Sequence, residues 1–257
     1  MIKRFKIVYP LADGTEELRN AYIYLPKGYH KAINKSKRYP VLYMFDGHNV
    51  FFDSDATYGK CWGMKEYMDS TETDMIVVAV ECNHEGYERL SEYSPFTFND
   101  PKIGQPILGK GKITMDWLTK TFKPWIDRHY RTLPDREHTF LGGSSMGGLM
   151  SLYGVLRYNH IFSKAAALSP SIWLATNQLE AMILTANISA DTVIYMDYGS
   201  REMKHHANME YMFGKVTALF LERRVQLTSR IVPGGNHCEA TWEKQIPFFM
   251  SVLLYNK

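Results

Sequence analysis

Several common signals are missing from this sequence. No run of apolar residues approaches the ~20 needed to span a bilayer, and the longest, 75–80, has only the length of a strand. The opening residues, 1–10, carry charge without the apolar core of a secretory signal. Cysteine is scarce. Cys61, Cys82 and Cys238 are odd in number and contain no Cys-x-x-Cys pair, so neither a disulfide framework nor a spaced zinc motif is expected. A reduced, cytoplasmic protein is the expectation. Charge of one sign is also lacking: 30 Lys and Arg against 27 Asp and Glu leave a net +3. That balance argues against nucleic acid or an anionic membrane as partner, and leaves a homo-oligomer open. There is no internal repeat, low-complexity tract or linker.

What remains is the make-up of a folded α/β protein. Its 257 residues, 45% of them hydrophobic, can bury a large core, and a single domain over 1–257 is expected. Phe5, Ile7 and Tyr9 alternate with polar residues, and 21–25 forms a second strand after the turn at Ala12-Asp13-Gly14. These two predict an antiparallel N-terminal pair. The segments 41–45 and 75–80 are almost continuously apolar, the pattern of parallel strands buried on both faces. Strand-like pieces at 138–141, 164–168, 193–198 and 227–232 are each followed by a helical piece, at 146–157, 177–184, 203–224 and 240–255. Met115, Leu118, Phe122, Trp125 and Tyr130 make one further helix stripe, with a kink expected at Pro124. This alternation predicts an α/β fold with a mostly parallel central sheet and helices on both faces. The stretch 81–113 reads as a long irregular loop, functional or poorly ordered by its length, and expected near the active site.

The strongest motif is Gly143-Ser144-Ser145-Met146-Gly147. In Gly-x-Ser-x-Gly, small residues on either side let a strand and the following helix approach closely, and the serine between them is presented on a sharp turn. Strand and helix patterns flank it here, so Ser145 is the candidate nucleophile; Ser144 has Gly142 two residues before it but Met146, not glycine, two residues after. A serine needs a base, and the base an orienting acid, which follow in the order serine, acid, histidine in this fold. His237 sits after the last strand and before the last helix, behind Gly234-Gly235. For the acid, Glu202, in the turn after the 193–198 strand, is preferred, with Asp197 inside the strand as the alternative. The backbone N–H groups of Met146 and His48 are the candidate oxyanion hole, His48 lying in the loop after the 41–45 strand.

The chain resembles the esterase D branch of the α/β-hydrolases, which includes siderophore (enterochelin) esterases, feruloyl and acetyl xylan esterases and S-formylglutathione hydrolases. The resemblance runs through Tyr22-Ile23-Tyr24-Leu25-Pro26, Tyr39-Pro40-Val41-Leu42-Tyr43-Met44-Phe45-Asp46-Gly47, Gly142-Gly143-Ser144-Ser145-Met146-Gly147-Gly148, Leu168-Ser169-Pro170-Ser171 and Gly234-Gly235-Asn236-His237. Asp46-Gly47-His48-Asn49 is most similar to the siderophore-esterase-like subgroup. The resemblance implies the α/β-hydrolase fold and places the acid after a Gly-Ser pair, at Glu202 behind Gly199-Ser200.

The expected activity is serine ester hydrolysis through an acyl-enzyme. Siderophore-type hydrolysis, acyl transfer and a catalytically silent binding module are the alternatives. Substrate contacts are expected from Asn49, Arg89 and Trp173. Tyr87, Tyr93, Phe96 and Phe98 in the long loop should wall the pocket, favouring small acyl, aromatic or carbohydrate esters. Asp53–Gly59 misses the calcium-loop spacing, Gly109-Lys110-Gly111-Lys112 is no phosphate loop, and no metal or cofactor is expected.

Overall fold

The structure, a computed structural model, describes residues 1–100 and 103–255. Two residues of the long segment 81–113, Pro101 and Lys102, lie outside them. The sheet strands are β1 (Ile2–Pro10), β2 (Glu16–Tyr24), β3 (Val41–Met44), β4 (Ile76–Val80), β7 (Thr139–Ser144), β8 (Lys164–Leu168), β9 (Val193–Gly199) and β10 (Gln226–Val232); β5 (Phe98–Asn99) and β6 (Pro106–Ile107) form a separate small pair. The helices are α1 (Met64–Thr71), α2 (Glu88–Glu92), α3 (Gly111–Trp117), α4 (Lys123–His129), α5 (Met146–Arg157), α6 (Thr176–Thr185), α7 (Met209–Glu222), α8 (Glu239–Glu243) and α9 (Ile246–Leu254).

The main sheet runs β1-β2-β4-β3-β7-β8-β9-β10. β1 and β2 pair antiparallel, as their alternation predicts, and β2 is antiparallel to β4. From β4 to β10 every pairing is parallel. The apolar runs are continuous because both faces of the sheet are covered. Val41, Tyr43 and Phe45 point into one core with Leu149, Leu152 and Val216. Leu42 and Met44 point into the other with Met64, Met68, Phe249 and Leu253. Thus α1 and α9 cover one face, and α3 to α7 the other.

Four expectations need correction. The helix expected over 203–224 starts only at Met209, after a tight turn at Glu202–Lys204. The one over 240–255 is two helices: Pro247, which has no N–H to donate, falls in the first turn of α9, where that loss is harmless. The stripe from Met115 lies on one unbroken helical run, α3 to α4, whose π-helical turn at Leu118–Phe122 falls just before Pro124, where the kink is expected. The segment 81–113 is not irregular throughout: it contains α2, the β5–β6 pair and the start of α3. Its aromatics also mostly serve packing. Tyr93 is buried edge-on against Phe45 and Phe98 is buried, while Tyr87 is exposed. They do not wall the catalytic cleft described below.

All six parallel strands release their C-terminal turns along one edge, where open α/β sheets hold their ligands. Phe140, fully buried in the central strand β7, tests how far the sheet depends on its two cores. Phe140→Ala should lower unfolding stability by about 3–5 kcal/mol, and Tyr211→Ala, on the exposed face of α7, by less than about 0.5 kcal/mol. Denaturant unfolding of both variants checks this; a Phe140→Ala loss no larger than that of Tyr211→Ala would contradict it.

Candidate active site

The turn between β7 and α5 places Ser145 at the sheet edge. Ser145 has φ 56° and ψ −119°, a conformation that side-chain-bearing residues rarely occupy. Its neighbours make the turn possible. A Cβ on Gly143 would lie 2.8 Å from the Gly147 backbone, and one on Gly147 would lie 2.9 Å from the Phe45 Cβ, so larger residues would force strand and helix apart. The turn is pinned by hydrogen bonds from Ser145 N–H to the Leu168 carbonyl, 2.9 Å, and from Ser171 N–H to the Ser145 carbonyl, 3.0 Å. The Ser145 hydroxyl lies 3.4 Å from that of Ser171.

Two neighbouring loops supply the histidine and the acid. His237, in the loop after β10, has its Nδ1 2.6 Å from Oε2 of Glu202. Glu202 Oε1 accepts from the Ser169 hydroxyl, 2.6 Å, and the Gly199 N–H, 2.5 Å. The Trp242 indole N–H in turn donates to the Ser169 oxygen, 3.0 Å, and the Trp242 ring stands edge-on to His237. Glu202 is only 3% exposed. Burial works against its charge, but the bonds from His237, Ser169 and Gly199 outweigh it and hold the carboxyl below its usual range. The two loops are also tied to each other: Ser200 N–H to the Val232 carbonyl, Arg201 N–H to the Gly235 carbonyl, and Gly234 N–H to the Ser200 hydroxyl.

Asp197 faces elsewhere. Its carboxylate accepts from the hydroxyl of Tyr195 at 2.6 Å, two residues back on the same face of the strand. Burial raises its pKa to about 7, with the Glu202 charge adding to the shift.

Ser145 and His237 line one cleft of about 370 Å³, together with His48, Asn49, Thr57, Tyr58, Asn83, His84, Arg89, Glu239 and Trp242. As the first residue of α5, Met146 has an N–H with no intrahelical acceptor. The N–H of His48 is similarly placed, ahead of the first bond of the Gly47–Asn49 turn, which runs from Asn49 to the Asp46 carbonyl. Asp46 enters that turn at φ 55°. Its buried carboxylate takes both Nε and Nη2 of Arg89, at 2.7 and 2.8 Å. Burial alone would raise the Asp46 pKa; the guanidinium lowers it below its usual range. Burial lowers the affinity of the His48 ring for a proton, and raises the pKa of Glu239.

A family profile described as "Putative esterase" matches residues 13–249. The chain belongs to this esterase family. The "Uncharacterized protein YbbA" of Bacillus subtilis is 23% identical over 199 residues, covering 75% of this chain and 72% of that protein. Among solved structures, a ferulic acid esterase superimposes with a TM-score of 0.68 at 17% identity, covering 98% and 97% of the two chains. The siderophore hydrolase EstB from Aspergillus nidulans does so with 0.70 at 19%, covering 96% and 94%. The esterase thus has the α/β-hydrolase type of fold, and it is a carboxylic ester hydrolase.

Within the esterase, Ser145, His237, His48, Asn49 and Arg89 face one cleft, and Glu202 stands directly behind His237. Trp173 does not join them. It sits on the Ile172–Leu174 turn, and its ring stacks on His206 at 3.8 Å. Arg89 lines the cleft, but Asp46 holds its guanidinium. Sequence reasoning missed Ser169, which links Trp242 to Glu202, and Ser171 beside Ser145. Ser169 is the residue that a sharper reading could have flagged, since it lies directly after a strand end; its φ of 43° becomes visible only in the fold.

The raised pKa of Asp197 gives the esterase a defined pH signature. Below about pH 4 the carboxyl is protonated both folded and unfolded, so it adds no pH dependence. Between there and about pH 7 the unfolded chain ionises and the folded one does not, so stability falls as pH rises. Asp197→Asn should therefore raise Tm at pH 8 and leave it nearly unchanged at pH 4. Thermal melts at both values check this, and an equal change at the two would contradict it.

Proposed function

We propose that the esterase acts through a serine nucleophile, Ser145, with His237 as its base and Glu202 as the acid that orients the base. The observation that carries this reading is the 2.6 Å contact between Glu202 Oε2 and His237 Nδ1 beside a serine held at φ 56° on the same cleft. A carboxylate on Nδ1 keeps the proton there and leaves Nε2 free to take one. Nε2 accepts the Ser145 proton as Oγ attacks the ester carbonyl. The developing oxyanion is met by the N–H groups of Met146 and His48, each such donor worth roughly 2.7–4 kcal/mol in a transition state. His237 then gives its proton to the leaving alcohol, and the acyl-enzyme forms. Water, deprotonated by the same Nε2, releases the acid. The distance from Ser145 to its base is expected to tighten on substrate binding.

The cleft also bears on the substrate. Its walls offer hydrogen-bonding groups (Asn49, Thr57, Asn83, His84, Glu239) and two aromatic rings, Tyr58 and Trp242. No Leu, Ile, Val, Phe or Met is among the described residues that line it, so nothing there would solvate a long alkyl tail. The basic residue in the wall, Arg89, is neutralised by Asp46, which disfavours a strongly anionic ester. We therefore assign small acyl, aromatic or carbohydrate esters, with siderophore esters as the second reading, on the strength of the resemblance. Residues 1–257 act as one catalytic domain in this proposal. Three free cysteines support a reducing, cytoplasmic setting; among the described residues no helix is long and apolar enough to cross a membrane.

Ser145→Ala should lower kcat on a p-nitrophenyl acetate-type ester by roughly 10⁶-fold, whereas Ser144→Ala should keep most of it. Glu202→Gln should cost about 10⁴-fold, far more than Asp197→Asn. Steady-state kinetics of the four variants decide this; comparable activity in Ser145→Ala and the unaltered protein contradicts the assignment. Across a chain-length series, acetyl and butyryl esters should exceed palmitoyl by at least about tenfold in kcat/KM, since a methylene gains 1–3 kcal/mol only in an apolar pocket. The opposite order would overturn this view of the cleft.

A further inference from the structure

On one wall of the cleft, His48, Cys82 and His84 converge, with one donor atom from each within 4.8 Å of the others. They come from two loops. His48 lies in the turn after β3, and Cys82 and His84 in the turn after β4. β3 and β4 are parallel neighbours, with Met44 opposite Ala79, so their C-terminal ends deliver the three side chains side by side. The rings of His48 and His84 are 4.4 Å apart and nearly perpendicular.

A second observation points to a ligand there. His48 is buried, and its Nε2 is engaged by the Thr57 hydroxyl at 3.0 Å. Its Nδ1 is buried with no hydrogen-bond partner. A buried polar atom left unpaired costs about 1–3 kcal/mol, and such atoms in folded proteins ask for an explanation.

Two imidazoles and one thiol are a donor set suited to zinc-class ions, not to Mg²⁺ or Ca²⁺. With Zn–N and Zn–S bonds near 2.1 and 2.3 Å, tetrahedral ligand atoms lie roughly 3.4–3.8 Å apart. All three donor-atom separations fall within 4.8 Å, and His84, whose side chain is exposed, has room to turn toward the two buried donors.

We propose that His48 Nδ1, Cys82 Sγ and a ring nitrogen of His84 form a binding site for a zinc-class divalent cation in the wall of the substrate cleft. Burial and the hydrogen bond to the Asp46 carboxylate push the Cys82 thiol well up, so it binds as the thiolate only as the cation enters, its proton leaving to solvent. The three protein ligands leave a fourth position facing the cleft, for water. Because the same cleft is lined by Ser145 and His237, a bound ion stands where the ester would lie, and ion and ester compete. The backbone N–H of His48 and its ring thus have separate uses. The site does not depend on the role assigned to Ser145, since its occupancy is read without catalysis.

Co²⁺ added to the chelator-treated, full-length protein is the probe. The expected result is saturable one-to-one binding, with a thiolate-to-cobalt charge-transfer band and the strong visible absorption of four-coordinate cobalt, both removed by Zn²⁺. Cys82→Ser should lose the charge-transfer band. His84→Ala, at an exposed position, should bind at least about tenfold more weakly, the loss of a ligand costing no less than that of an outer partner. Zn²⁺ should raise KM for a neutral ester in the unaltered protein. Absence of the band in the unaltered protein, or its persistence in Cys82→Ser, would overturn the proposal, as would equal affinity in His84→Ala.

Discussion

One buried carboxylate organises the site. Glu202 is almost fully shielded, and an ionised carboxyl is tolerated there only if its oxygens are hydrogen-bonded. Ser169, Gly199 and His237 satisfy that demand. In doing so they fix the ring of His237, hold Ser169 in a left-handed backbone conformation, and bring Trp242 against both. The loops after β8, β9 and β10 are therefore tied to one another. The close approach of Gly199 and Gly235 completes it: a Cβ on Gly199 would meet the Gly235 carbonyl oxygen at 2.3 Å, so the loop that carries Glu202 can lie flat on the loop that carries His237.

Next to it, the turn carrying Ser145 and the turn carrying His48 are set by a different constraint, the spacing of parallel strands. β7 pairs with β3 on one side and with β8 on the other. Phe45 and Gly147 are in contact across the β3–β7 edge, and Leu168 takes the Ser145 N–H across the β7–β8 edge. Backbone hydrogen bonds and close contacts hold the serine from both sides. The Asp46–Arg89 pair plays the matching part for the His48 turn, where a buried carboxylate recruits a bidentate guanidinium and ties the segment after β4 to the turn after β3.

The parts of this site legible in the sequence were those written in local spacing or in chain order. Gly143, Ser145 and Gly147 form a local motif; Gly143 makes room for the Gly147 backbone within it, while Gly147 makes room for Phe45 at the end of β3. His237 was found by its position between the last strand and the last helix. Glu202 was preferred over Asp197 by its place after the strand; in the structure Glu202 contacts His237, whereas Asp197, inside β9, shares a face with Tyr195 and bonds to it. Contacts across the fold were not legible. Nothing local says that Trp173 would stack on His206, that Tyr93 would bury itself against Phe45, or that Asp46 would hold Arg89. Nor does a spacing motif announce His48, Cys82 and His84, because two separate loops contribute them. The strands were read well where both faces are buried, since continuous apolar runs are hard to mistake. The helices were read too long where a proline or a tight turn restarts the chain, at Pro247 and at Glu202–Lys204.

The central claim is that Ser145, set on its strained turn beside the His237–Glu202 pair, is the activated nucleophile. Covalent labelling tests it without reference to any particular ester. The intact protein is treated with a fluorophosphonate and mapped by peptide mass spectrometry. One adduct per chain is expected, on Ser145, and it should be lost when the protein carries His237→Ala. An adduct on Ser144 or Ser171 in place of Ser145, or no adduct at all, would contradict it.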